Sequence, residues 1–224
     1  WKPFQLNLPI VPITDLTIKD NSLIVATQGR SLWMIDDLTV IHQLYYADKS
    51  KNILFKPKDT YRMRGSSIKG SKTNGTNLQN GVITYFNLNN YDEKDEVSLT
   101  YFDTKGDTIK TYSTKSKDNK LSVKKGTNQF VWNMIYDGAQ RFSGMILWAG
   151  SLRGPKAVPG NYKISLNVNG DVLNQPFTIL ADPRAEGTLD DMKKQFVFIK
   201  DINKTLDNTH KSIKKIRKIN EKLD

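Results

Sequence analysis

The chain has 224 residues, with 34 Lys and Arg against 23 Asp and Glu, two His and no Cys. That length allows one large or two small domains, and the lack of cysteine excludes disulfides, thiolate metal sites and cysteine nucleophiles together. The net charge of +11, with a pI of about 9.6, raises nucleic-acid binding, but the lysines are dispersed. No ordered alternation of aromatics and arginines suggests a base-stacking platform, so the charge reads as a solubilising surface and no nucleic-acid partner is expected.

No apolar run approaches the ~18 residues of a membrane helix, so no membrane span is expected. Trp1 is not a natural start, and no signal-like segment follows it. The chain is expected to be a fragment or a processed product.

Residues 1–50 read as short strands and turns. Leu8-Pro9-Ile10-Val11-Pro12 cannot be a central strand, because proline lacks the N–H a ladder needs. Asp15 to Ile18 alternates, Asp20-Asn21 turns, Leu23 to Thr27 reads as a buried strand, and Leu32 to Ile35 returns antiparallel after Gln28-Gly29-Arg30. Three such strands cannot bury their faces alone.

Residues 56–80 read as loop: Lys56-Pro57-Lys58-Asp59 is a linker signal, and the Gly-rich stretch from Gly65 to Gly81 has no period and reads as mobile. From residue 81 the pattern is a sandwich. Val82 to Leu88 is apolar, and Val97, Leu99 and Tyr101 share one face of a strand. Thr108 to Ser113 returns after the turn at Thr104 to Asp107, and Thr127 to Asn133 carries Phe130 and Trp132. Tyr162, Ile164, Leu166 and Val168 share a face before Asn169-Gly170, a two-residue hairpin signal, and Asp171 to Leu180 runs back. About seven short strands with regular turns argue for an immunoglobulin-like sandwich.

Residues 183–224 change character. Thr188-Leu189-Asp190-Asp191 is a helix N-cap signature with Asp191 in the usual Glu place. Apolar residues recur near helical spacing from Leu189 to Leu223. Such a stripe must lie on something, either the sandwich or a second helix. A role at a membrane surface is the weaker reading.

Catalytic patterns are searched for without success. His42 and His210 lack ligand spacing and read as surface or packing residues. Gly65 to Lys72 approaches a phosphate loop with its lysine one place late. Gly150-Ser151-Leu152-Arg153-Gly154 misplaces the serine of a nucleophile elbow. Asp92 to Glu96 reads as a solvated turn rather than a calcium site. Asp36-Asp37 closes a hairpin and does not straddle a substrate as glycosidase carboxylates do. No catalytic residue, metal site or cofactor is expected.

The best binding candidates lie between Trp132 and Lys156. Trp132, Tyr136, Phe142 and Trp148 offer stacking faces for a sugar, and Arg141 and Arg153 offer donors. Alternatively the tryptophans fill the core, and Gly144, Gly150 and Gly154 serve loop turns. Core or interface packing is the favoured reading for Trp132. For Trp148, interface packing and a surface patch are both open.

The stretch DLTIKDNSLIVATQGRSLWMIDDL resembles the last blade of BNR/Asp-box, sortilin-type β-propeller proteins of Bacteroidetes-like bacteria, which are often labelled glycosyl hydrolases. Trp1 is similar to the tryptophan that ends an Asp-box. NQFVWNMIYDGAQRF and AVPGNYKISLNVNG resemble the immunoglobulin-like module that follows such propellers, also similar to that of hook-capping proteins. Trp132 matches its aromatic after Asn-x-Phe-Val, and Pro159-Gly160-x-Tyr162 its turn into a strand.

The resemblance implies a mainly β chain: an incomplete propeller blade over 1–55, an immunoglobulin-like sandwich over 56–182, and a C-terminal amphipathic helix over 183–224. It implies an exported, non-catalytic region of a larger protein, partnered by upstream blades and by a glycan or another protein. The alternatives are an accessory region bordering a glycoside hydrolase cleft, or a carbohydrate-binding module. In that family the catalytic carboxylates lie on upstream blades, so none is carried onto this chain.

Overall fold

The computed structural model describes residues 3–63 and 79–223. Trp1 and the expected loop between Gly65 and Leu78, with its near phosphate-loop pattern, lie outside the described residues. The chain is mainly β, with one sheet curled as a half-barrel and a long C-terminal helix.

Three antiparallel strands come first: β1 (Ile13–Lys19), β2 (Ser22–Thr27) and β3 (Leu32–Ile35), in that spatial order. Lys19 pairs with Ser22 across Asp20 and Asn21, both at positive φ, the conformation that two-residue hairpins need. The strand expected to be buried is only partly so. Of its residues Val25 alone is buried, and all of β1 is exposed.

A helix, α1 (Thr39–Tyr46), follows where strands and turns are expected. Its β-branched and aromatic residues carry strand propensity. Tertiary hydrogen bonds override it. The Asp37 carboxylate accepts from the Thr39 N–H (3.0 Å), the Thr39 hydroxyl (2.6 Å) and the Asn21 amide (2.8 Å). Asp37 therefore ends β3, starts the helix and ties it to the first hairpin turn. At the other end, the Gln43 side chain pairs with both backbone groups of Lys56 (2.7 and 3.0 Å).

Two further sheets enclose one core. The smaller is β4 (Ile53–Leu54), β6 (Val82–Leu88) and β9 (Gly126–Trp132), ordered β4-β6-β9. The larger is β5 (Thr60–Tyr61), β7 (Val97–Phe102), β8 (Thr108–Ser113), β10 (Gly160–Val168) and β11 (Asp171–Leu180), ordered β5-β11-β10-β7-β8. β4 pairs with β6, so residues 53 and 54, before the expected boundary at 55, belong to this layer. β5 pairs parallel with the end of β11, inside a stretch that reads as loop. Two residues are too few to carry a periodic signal. The Gln175 side chain, donating to the Leu54 carbonyl at 3.0 Å, links the two sheets at this edge.

Alternation decides what is buried. Val82, Thr84, Phe86 and Leu88 of β6 face inward, as do Val97, Leu99 and Tyr101 of β7. Trp132 of β9 is fully buried. Its ring stacks on Tyr101 at 4.6 Å and meets the edges of Tyr162 and Phe177. The polar tip of Tyr101 is satisfied by the Thr84 hydroxyl at 3.0 Å. Burial pushes the Tyr101 hydroxyl far above its ordinary pKa, since a phenolate there would lose its hydration. Asn169 and Gly170 form the β10–β11 turn with positive φ at both positions.

α2 (Leu189–Asn220) begins with a complete capping box. The Thr188 hydroxyl accepts from the Asp191 N–H (3.2 Å), and the Asp191 carboxylate accepts from the Thr188 N–H (3.0 Å). The hydrogen bonds from Thr188 hold the Asp191 carboxyl below its ordinary pKa.

Trp132→Ala removes the ring on which both sheets close. It is expected to lower unfolding stability by about 3–5 kcal/mol, read by urea denaturation. A loss under about 1 kcal/mol, the size of an ordinary substitution, would contradict this account of the core.

Candidate interaction surfaces

The two tryptophans and two arginines among the candidates fall in different environments. Trp132 has 0% exposure, so no face of it is open to a sugar. Trp148 is 86% exposed and its neighbour Ile146 is 80% exposed. Arg141 and Arg153 are exposed on the two arms of the same long loop.

That loop, residues 133–159, is built on paired arms. Tyr136 N–H donates to Pro155 O (3.0 Å), Ala139 N–H to Leu152 O (2.9 Å) and Ala157 N–H to Met134 O (2.7 Å). The arms approach so closely that a Cβ on Gly138 would collide with the Leu152 carbonyl, and one on Gly154 with the Tyr136 carbonyl. Gly154 thus permits close approach of two backbones and is not a turn residue. Gly144 does sit in a turn, with φ +71°.

Helix α2 lies along this loop and not on the sheets. Its inward stripe runs Met192, Phe196, Ile199, Asn203, Leu206 and His210, at alternating steps of four and three, the spacing of a helical seam. Two members are polar because the partner is irregular backbone. The Asn203 amide donates to the Arg153 carbonyl (3.3 Å). The buried His210 Nδ1 meets the Gln140 carbonyl at 2.5 Å and so carries the proton there. Asp207 accepts the Gln140 N–H at 2.6 Å, and Arg217 donates to Ser143 O at 2.6 Å. Tyr136 packs edge-on against Phe196, and Phe142 against His210. His210 is therefore a packing histidine, whereas His42 is exposed on α1.

The base of the loop is clasped to the chain after β5. Arg62 Nε donates to Ala157 O (2.9 Å) and Lys156 Nζ to Met63 O (2.5 Å). Burial lowers the pKa of both cations. Arg62 and Arg153, as like charges nearby, lower that of Lys156 further. Arg153 thus stands beside Lys156 at the loop base, with Trp148 in the distal part of the loop. Burial pushes the neighbouring Tyr162 hydroxyl up to about 12, and it donates to Val158 O at 2.6 Å.

The second surface is the sheet β1–β3. Its register places Leu16, Ile18, Leu23, Val25, Trp33 and Ile35 on one face, and Ile24, Ala26, Leu32 and Met34 on the other. The first face is apolar on all three strands; the second is apolar on β2 and β3, while β1 places Asp15, Thr17 and Lys19 there. Leu16 is 60% and Leu32 69% exposed, one on each face. The N-terminal segment covers part of the first face, leaving a hollow of about 300 Å³ between Phe4, Leu8, Leu16, Val25 and Trp33. β1 and β3 are both edges of this sheet.

Among the described residues, no three His, Asp or Glu side chains converge to hold a metal ion, and no helix is long and apolar enough to cross a membrane. The chain matches no family model and no curated protein.

Gly154→Ala is expected to force the loop arms apart, with loss of about 1–3 kcal/mol and faster amide exchange in α2 around Asn203. Native exchange and native stability in that variant would show that the arms do not set the helix position.

Proposed function

We propose that this chain is the non-catalytic C-terminal structural and interaction region of a larger exported β-propeller protein. In this reading β1–β3 are part of the last blade, the two enclosing sheets are an immunoglobulin-like sandwich, and α2 is a packed tail. The observation that carries it is the sheet β1–β3, exposed on both faces, apolar over the whole of one and over β2 and β3 of the other. An antiparallel strand with one solvated face alternates apolar and polar residues, as β1 does. Strands apolar on both faces, as β2 and β3 are, belong between two layers, as a blade lies between its neighbours. The strand pattern from Asp15 to Asp37 supports the same reading.

The test is the mass of the endogenous protein, by blotting its source cells against this chain and measuring the intact species. The expected mass is several times the 25.6 kDa of this chain. A mature species near 25.6 kDa would overturn the reading.

A second reading, carbohydrate binding by the loop, is favoured by the exposure of Trp148 beside Ile146. An exposed indole offers a flat apolar face to a sugar ring, and Arg141 and Arg153 would supply donors. Polysaccharide titration followed by tryptophan fluorescence is expected to give a saturable change that Trp148→Ala abolishes. A silent wild type, or unchanged affinity in Trp148→Ala, removes this reading.

A further inference from the structure

Helix α2 carries a second stripe beside the one that meets the loop. Phe198 and Ile202 open it, and Ile216 and Ile219 close it, with Leu223 just past the helix end; all five are exposed. Thr205, Thr209 and Ser212 lie between them, and the whole series again advances by alternating steps of four and three. Such spacing keeps one line of side chains toward a partner helix. The three central hydroxyls each donate to the carbonyl four residues back, at 3.1, 3.0 and 3.0 Å. The middle of the stripe is therefore narrow, with its hydroxyls already satisfied.

The stripe reads nearly the same from either end. Phe198 mirrors Ile219 and Thr205 mirrors Ser212 about a point midway between Asn208 and Thr209, and Ile202 mirrors Ile216 about Thr209, half a residue away. Two helices that cross at small residues come close there and diverge outward, where bulky side chains fill the widening gap. A surface that is its own mirror about a point is what a two-fold contact requires. The charges follow the same symmetry. At 100° per residue, Asp201 and Lys215 lie on one flank of the stripe and mirror each other about Asn208, within half a residue of the same point. Neither forms an ion pair among the described residues. Lys193, Lys200, Lys204, Lys211, Lys214 and Lys218 fall on the opposite side of the helix, so two copies meeting here keep their main positive faces apart; Lys194 lies on the stripe's own side, where it pairs with Asp190 at 2.6 Å.

We propose that this stripe is an interface with a second copy of the chain: an antiparallel contact between two α2 helices, with its two-fold axis beside Thr209 and Asp201 of each copy facing Lys215 of the other. This contact is separate from the sheet β1–β3 and stands whatever the parent protein is.

Sedimentation equilibrium of the chain should give a mass about twice 25.6 kDa. Ile202→Lys and Ile216→Lys should each return it to the monomer with an unchanged helical circular-dichroism signal, since both side chains face solvent in the single chain. Asp201→Lys and Lys215→Asp should each weaken the dimer, and the double variant should restore it. The chain has no cysteine, so Thr209→Cys introduces one thiol and should oxidise to a disulfide dimer, whereas Lys211→Cys should not. A monomer at every concentration would overturn the proposal. So would a dimer indifferent to Ile202→Lys and Ile216→Lys, or one abolished by Met34→Lys, which would place association on the β3 sheet instead.

Discussion

The Trp132 indole lies on the Tyr101 ring at 4.6 Å, with the edges of Tyr162 and Phe177 around it. Four aromatic rings from β7, β9, β10 and β11 thus meet at one point between the two sheets. Trp132 is also the last residue of β9, where the chain leaves the sheet for the long loop. The loop returns at Ala157, which is buried and bonded to Met134. The ring cluster therefore fixes both feet of the loop. The loop in turn supplies the surface on which α2 rests, so the position of a 32-residue helix is set by packing between the two sheets.

The contact between loop and helix shows how an irregular segment stays folded beside a regular one. Backbone groups on a loop need partners once they are covered. Asn203, Asp207, His210 and Arg217 supply them from successive turns of α2. Polar residues on a helical seam hold it in one register, since a slip by one turn would leave each of those groups without its partner. Leu206 and Phe196 give the seam its apolar area, and Asn203 and His210 give it its address. This division explains why the seam is a mixed stripe.

Much of the β architecture was legible because alternation is a local signal. The faces of β6, β7 and β10 and the Asn169-Gly170 turn follow from residues adjacent in sequence, and so does the Thr188 cap. What could not be read depended on partners distant in sequence. α1 is built from strand-prone residues and forms because Asp37 and Gln43 find Asn21 and Lys56. β5 exists only as the parallel partner of residues some 120 places later. Gly154 reads as a turn glycine until the opposite loop arm is seen against it. Among the candidate site residues, phase separated the two tryptophans. Asn128, Phe130 and Trp132 alternate inward along β9, whereas Trp148 belongs to no periodic run, and nothing near it in sequence says what it touches. Asn203 and His210 were hidden for a related reason: a polar residue in an apolar stripe looks like an interruption.

The distribution of charge completes the picture. The chain carries 34 basic residues, yet the second and third strands of the first sheet, Ser22–Thr27 and Leu32–Ile35, contain none. Charged side chains at an exposed sheet would block contact with other layers, and here Lys19 and Arg30 stand only at the strand ends. On α2 six of the lysines gather on the side away from the second stripe, while Lys215 flanks it and Lys194 lies beside its start. A long basic side chain costs little in water but resists burial. A surface selected only for solubility would spread lysine over every exposed position. Two exposed surfaces poor in lysine, on a chain with a net charge of +11, are surfaces shaped by contact, and the positive charge marks them out by its scarcity.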